Sequence, residues 1–421
     1  MNVLHLSTYD VRGGAARAAC RQHRALLEAG VNSQMLVRFK ESDDDTVLRY
    51  EPPRSPWARV CRVGRRRWLR HAAGRARKAA SNPAASLTDD RSDIAGAILD
   101  EVRPDVINVH FATGFLDFPS FFAHYGNSLP IVVTMHDMWP FTGGCHYAGG
   151  CDRYRRACGI CPFLGVSREA DLSREIWNRK SLAFTSVPKQ RLVFVANSHW
   201  LAEDARSSSL LRDRRTEVIH YGLDTRVYRP GSRPSAKEAL GIDPAETVIL
   251  FGAAYAGDPR KGFRYLQEAV EGSRILQGCL CLSVGGGHVR FSPAIRHRHL
   301  GQVDSDVLLA AVYRAADVFV MPSLEEAFGQ TALESIACGT PVAAFAAGGI
   351  PETVEDGVSG VLCPVGDVGS LRRAVEALVT DGALRQRLSG DCTSFIRSRF
   401  SYGLNAQRYV AIYEQLTTSR T

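Results

Sequence analysis

Short, mostly apolar runs bounded by glycine or polar residues recur along the chain at residues 3–7, 34–37, 106–109, 131–134 and 192–195. They are rich in valine, leucine and isoleucine and lack the strict alternation of a half-solvated strand. Strands covered on both faces, as in a parallel sheet, read this way. Between them the apolar spacing becomes helical: Gly13-Gly14 turns the chain into a predicted helix over 15–27 that ends at Gly30, and 94–102 predicts another. Strand, glycine turn, helix and strand make a βαβ unit. The pattern then restarts, with predicted strands at 247–251, 279–284, 316–321, 341–345 and 360–362 and helices at 265–270, 307–314, 331–338 and 371–379. Residues 401–416 place Tyr402, Leu404, Tyr409, Ile412 and Leu416 at helical spacing.

This pattern predicts an α/β protein of two Rossmann-like, doubly wound domains. A chain of 421 residues is also too long for one ordinary core. Pro230, Gly231 and Pro234 are linker signals near the change of domain. The expected division is 1–217, 218–400 and a terminal helix over 401–421.

An apolar content of 45% and a charged content of 23% are those of a folded globular chain. No run of eighteen apolar residues occurs, so no membrane-spanning helix is expected. The first residues enter a strand without the sections of a signal peptide, which predicts a cytoplasmic protein whose eleven cysteines are mostly reduced. Much of the +8 net charge comes from residues 54–78, RSPWARVCRVGRRRWLRHAAGRARK, where tryptophans are interleaved with arginines and no acid is present. Such a segment suits an anionic membrane face. It also reads as a solvated basic insert, and a nucleic-acid patch is the weaker third reading.

The chemistry concentrates at residues 322–335, PSLEEAFGQTALES, where a strand, a loop and a helix follow in order. A helix N-terminus at the carboxyl end of a strand offers backbone N–H groups and a positive dipole end to a phosphate. Glu326 and Glu334, with seven residues between them, flank that turn. Two carboxylates are poor phosphate ligands but good hydroxyl acceptors, so both are expected at a crevice rather than in a core. A sugar nucleotide offers the diphosphate and the hydroxyls together.

Two histidines, His110 and His136, each end a predicted parallel strand, where polar residues usually line the ligand crevice. Asp137 is beside the second, and Gly13 and Gly14 lie at the first strand–helix turn, where backbone can approach a phosphate or sugar closely. Arg260 and Lys261 sit in a polar loop. Four cysteines, Cys145, Cys151, Cys158 and Cys161, fall within seventeen residues and end in Cys-x-x-Cys. They read either as a closed structural zinc site or as reduced thiols in a loop. The pairs Asp43 with Asp45 and Asp304 with Asp306 read as a charged loop and a helix cap, so no catalytic metal is expected.

The segment 326–334 resembles the E-x7-E signature of the family 4 retaining glycosyltransferases of the GT-B fold, in which two domains face each other across a cleft. The likeness extends in family order through Gly13-Gly14-Ala15, Thr134-Met135-His136-Asp137, residues 196–198 and 218–224, Arg260-Lys261-Gly262, Gly285-Gly286-Gly287 and Gly348-Gly349-Ile350-Pro351-Glu352. The stretch 138–145, MWPFTGGC, is similar to a subgroup that assembles bacterial exopolysaccharides, including colanic-acid-type transferases.

The resemblance implies a retaining transfer of sugar from a UDP- or GDP-sugar to an acceptor hydroxyl, in cell-surface polysaccharide synthesis on a lipid-linked acceptor at the inner membrane face. It assigns Glu326 to the sugar hydroxyls, Glu334 to the ribose, and the backbone of Phe328, Gly329 and Gln330 to the diphosphate. Lys261 and Arg260 would neutralise the leaving diphosphate. The family's arginine a few residues earlier has no counterpart among Ala253-Ala254-Tyr255, and Arg260 takes its place. His136 would hydrogen-bond the donor sugar, so the catalytic set is His136, Glu326 and Lys261. Gly13, Gly14, His110 and Asp137 fall on the acceptor side. Two other classes fit part of the chain: a nucleotide-sugar epimerase of the same fold, and a non-catalytic nucleic-acid binder using residues 54–78.

Overall fold

The computed structural model describes residues 1–52, 63–64, 87–88, 91–92, 94, 102–255, 257–287, 289–390 and 392–418. The basic segment 54–78, apart from Val63 and Gly64, and the helix expected over 94–102, apart from its two ends, lie outside the described residues. The chain divides into two compact units, Met1–Ile219 with Asn405–Thr421, and His220–Leu404.

The first unit is built on seven strands: β1 Asn2–Tyr9, β2 Asn32–Phe39, β3 Val47–Arg49, β4 Val106–Val109, β5 Ile131–Met135, β6 Leu192–Ala196 and β7 Arg215–Val218. Their order is β3-β2-β1-β4-β5-β6-β7 and every pairing is parallel. The central strands β4, β5 and β6 are buried at every residue, which explains sequences that are apolar except for Asn108 and Thr134. The two edges escape the apolar pattern because an edge strand has less to bury: β7 reads Arg-Thr-Glu-Val. The segment Asn405–Thr421 seats through polar contacts inside this unit. The Tyr413 hydroxyl accepts from Asn108 Nδ2 at 2.7 Å and Gln22 Nε2 at 3.1 Å, and the Tyr409 hydroxyl lies 3.2 Å from Thr134 Oγ1.

The second unit repeats the plan with six strands: β8 Val248–Tyr255, β9 Leu280–Gly286, β10 His297–His299, β11 Val318–Met321, β12 Val342–Phe345 and β13 Gly360–Cys363. The order is β10-β9-β8-β11-β12-β13, again parallel throughout. Phe251, Val320 and Phe345 from the sheet meet Leu266, Leu371 and Val375 from its helices in one core. The strand order reverses at β1/β4 in the first unit and at β8/β11 in the second. In doubly wound sheets, ligands bind outside the carboxyl ends of the strands at that reversal. The helix over Asp306–Ala315 differs from expectation in its cap: Ser305 accepts from Leu308 N, whereas Asp304 accepts from Gln302.

Candidate active site

In the second unit the loops after β8 and β11 meet at the sheet's reversal point. Leu324 N donates to Arg260 O at 2.8 Å, tying one loop to the other. Gly262, at φ +69°, lets the Arg260-Lys261 loop close against the end of β11, because a Cβ there would lie 1.8 Å from Pro322 O. Gly348 does the same for Glu326: its missing Cβ would lie 2.1 Å from Glu326 O, and Gly349 N donates to that oxygen at 2.8 Å. The spaced glycine motifs therefore fix the backbone on both sides of one carboxylate.

That carboxylate faces two cations. Lys261 Nζ donates to Glu326 Oε2 at 2.5 Å, and Arg260 Nη1 stands 3.7 Å from the same oxygen. Arg260 is itself held by Glu325 O at 2.7 Å and Asp258 Oδ2 at 3.1 Å. Burial pushes the Glu326 carboxyl up, but the Lys261 and Arg260 charges outweigh it and leave it below the usual carboxylate range. Glu326 is thus an ionised acceptor beside two oriented donors. Gly329, left-handed at φ 96°, caps the helix Gln330–Ala337, whose first turn starts four residues beyond Glu326.

Glu334 departs from the expectation that both carboxylates avoid the core. It is 4% exposed, and its Oε2 accepts the Tyr313 hydroxyl at 2.8 Å. One helical turn rotates it inward, where that hydroxyl compensates for burial. Phe328 is likewise internal, its ring 5.0 Å from that of Tyr221. Its carbonyl accepts from Thr353 Oγ1 at 2.6 Å.

In the first unit, β1, β4 and β5 are neighbours, and their histidines form a row. His5 Nδ1 and His110 Nε2 share a hydrogen bond at 2.8 Å, and His110 Nδ1 and His136 Nε2 share one at 3.0 Å. His23 extends the row, its ring 5.7 Å from His5 and its nitrogens on Ser33 and Thr46. Burial lowers all four: His136 and His23 fall to about 4, and His5 and His110 lie well below the ordinary value. His136 is therefore neutral near pH 7, a hydrogen-bonding group rather than a cation. His110, 4% exposed, sits between His5 and His136 in this row. His5 and His23 were not singled out from sequence; the signal was a histidine inside the apolar run at 3–7.

Asp137 is anchored on both oxygens, by Trp139 N at 2.8 Å and by His146 Nδ1 at 2.8 Å, while His146 Nε2 meets Thr88 Oγ1. Burial would raise its carboxyl, and the His146 charge and hydrogen bonds lower it instead. Gly13, at φ 88°, starts the helix Gly14–Glu28 directly after β1. Asp10, missed in the sequence, accepts from the backbone of Val11, Glu41 and Ser42 and so joins the loops after β1 and β2. Cys145, Cys151, Cys158 and Cys161 line one small cavity of this unit.

Two family models match the chain: Glycosyltransferase Family 4 over residues 12–227, more than half of its length, and Glycosyl transferases group 1 over 245–381. Among curated proteins it is similar to D-inositol 3-phosphate glycosyltransferase of Mycobacterium sp. (strain KMS), 34% identical over 210 residues, covering 46% of each chain. The protein of that name from Mycobacterium marinum is 36% identical over 195 residues, 42% of this chain and 41% of the other. The chain thus spans about half the length of the curated relatives it matches. Solved structures match it from end to end at low identity. Sucrose-phosphate synthase of Thermosynechococcus elongatus has a TM-score of 0.66 at 18% identity, covering 100% of both chains. HepE of Anabaena, in complex with UDP and glucose, has a TM-score of 0.64 at 16% identity, covering 98% of both. WaaG, a glycosyltransferase involved in lipopolysaccharide biosynthesis, has 0.63 at 16%, covering 98% of this chain and 99% of its own. These likenesses show a shared fold. The curated relatives bear an inositol-phosphate name rather than the exopolysaccharide role implied by residues 138–145.

Proposed function

The chain belongs to glycosyltransferase family 4, and from that premise we propose that it moves a sugar from a nucleotide-sugar donor to an acceptor hydroxyl with retention of configuration. The observation that carries this reading is the ionised Glu326 held between Lys261 and Arg260 at the start of the helix Gln330–Ala337. The leaving diphosphate gains negative charge as the glycosidic bond breaks. Fixed cations and helix N–H groups stabilise that charge most at that moment. Glu326 orients the cations and accepts sugar hydroxyls. Neutral His136 hydrogen-bonds the donor sugar, and Asp137 serves the acceptor. The acceptor attacks on the face the diphosphate leaves, and a phosphate oxygen takes its proton. The site requires no catalytic metal in this reading. UDP is the favoured nucleotide, since HepE of the same fold was crystallised with it.

The acceptor is proposed to be a lipid-linked oligosaccharide at the inner membrane face, in cell-surface polysaccharide synthesis. The basic, tryptophan-bearing residues 54–78 support it, as does the fold shared with WaaG. Among the described residues no helix is long and apolar enough to cross a membrane, so contact would be peripheral. A second reading, a soluble inositol phosphate acceptor, is favoured by the names of the curated relatives.

One assay separates them: UDP- and GDP-sugars are offered with lipid-linked acceptor in anionic vesicles and, separately, with inositol 3-phosphate. Transfer to the vesicle-borne acceptor is expected. Replacing Arg65, Arg66, Arg67 and Arg70 with Gln should reduce it roughly tenfold or more at low salt, since each basic residue near an anionic surface contributes about 1 kcal/mol. Transfer to inositol 3-phosphate alone would establish the second reading. Release of an epimerised free sugar nucleotide, with no transfer, would contradict both.

A further inference from the structure

The cavity lined by Cys145, Cys151, Cys158 and Cys161 measures about 20 Å³, room for a single ion. All four are free thiols, and Cys158 and Cys161 are each 7% exposed. The backbone around them is fixed by hydrogen bonds, one of them to a sulfur. Gly143 N donates to Cys158 Sγ at 3.1 Å, and Leu164 N donates to Cys161 O at 3.1 Å. Lys180, fully buried, places a positive charge near Cys145 and Cys158.

The backbone tells the same story. Ile160, between Cys158 and Cys161, has φ +47° and is the one non-glycine residue with positive φ among the described residues. A β-branched residue is strained there, and such strain persists only where surrounding structure enforces it. Cys158 and Cys161, on either side of this turn, line the same cavity. No three of the four sulfurs lie within 4.8 Å of one another, so a bound ion would draw them inward to about 2.3 Å from itself.

We propose that Cys145, Cys151, Cys158 and Cys161 form a closed structural site for a thiophilic divalent cation, zinc, and that the ion clamps the loop carrying His146 against Asp137. Four thiolates fill a tetrahedron and leave no open position for substrate, so the role is structural. The site's net negative charge is offset by buried Lys180. The coupling is short. Cys145 precedes His146, which bonds Asp137 through Nδ1, and its carbonyl accepts from Met138 N at 3.0 Å. At the other end, Cys161 N donates to Asp171 Oδ2 at 2.8 Å, and Asp171 caps the helix Leu172–Thr185.

The test is elemental analysis of the full chain purified under reducing conditions without added metal. About one zinc per chain is expected. Cys151→Ser and Cys161→Ser should lower zinc affinity about tenfold or more, while Cys338→Ser, in the other unit, should retain the metal. Because a cysteine variant could fail to fold, wild-type protein stripped of zinc is also titrated with cobalt(II). Thiolate-to-cobalt charge-transfer bands together with tetrahedral ligand-field bands are expected. In the metal-free protein trypsin should cut faster at Arg153, Arg155 and Arg156, and added zinc should restore protection. Zinc absent with cobalt bands also absent, zinc retained unchanged in both cysteine variants, or stoichiometric iron in its place would each overturn the assignment. Unchanged trypsin cleavage would overturn the clamp.

Discussion

Glu326→Gln is expected to lower turnover by about 100-fold or more while leaving the fold intact, the size of effect seen when an oriented electrostatic group is removed from a transition state. The substitution keeps the shape and removes the charge. Lys261 and Arg260 then lose the anion that aims them, one at 2.5 Å and the other at 3.7 Å. Both can relax toward solvent, since their side chains are 19% and 22% exposed, so the melting temperature should move little. Lys261→Met should reduce turnover by a similar factor, because it removes the cation nearest the proposed diphosphate. Circular dichroism and initial rates on the same preparations decide the matter. Wild-type turnover in folded Glu326→Gln protein would remove Glu326 from the site.

Acidification should destabilise the first unit well before ordinary carboxylates titrate. His23 and His136 each fall to about 4 in the folded chain, while an unfolded histidine titrates near 6.5. Between those values the unfolded state binds more protons than the folded one, so stability is full above about 6.5 and declines as pH falls toward 4. From pH 7 to pH 5 the loss is roughly 2 kcal/mol for each such group. His5 and His110, also lowered by burial, act in the same direction. Denaturant titrations at pH 7, 6 and 5 should show this slope, and His23→Gln should flatten it. A midpoint independent of pH over that range would show that the row is not held neutral.

The central strands and the site loop were legible because their sequence signal is physical and local. β4, β5, β6, β11 and β12 are buried at every residue, so their sequences are apolar apart from Asn108 and Thr134, which meet polar partners. Glu326 was singled out through the resemblance at 326–334, since an acid near a helix start is common in its own right; the structure sets it between Lys261 and Arg260. What was not legible depends on the third dimension. Glu334 lies one turn into the helix, and only the packing of Tyr313 decides that it points inward. The histidine row crosses three strands that are far apart in sequence: His5 pairs with residues of β4, and β4 with β5. No spacing rule links position 5 to position 110. The edge strands β3, β7 and β10 are three or four residues long, and β7 and β10 are largely polar, so the apolar pattern passes over them.

The central claim is that the Lys261–Glu326 cluster receives the diphosphate of a sugar nucleotide. The most direct measurement is the melting temperature of wild-type protein and Lys261→Met across a panel of UDP, GDP and ADP. A ligand bound only by the folded state stabilises by mass action, about 2.7 kcal/mol at a hundredfold excess over Kd. The expected result is a clear rise of several degrees with one nucleoside diphosphate, UDP above the others, and loss of most of that rise in Lys261→Met. No shift with any nucleoside diphosphate at millimolar concentration, or a shift that Lys261→Met leaves intact, would contradict the account.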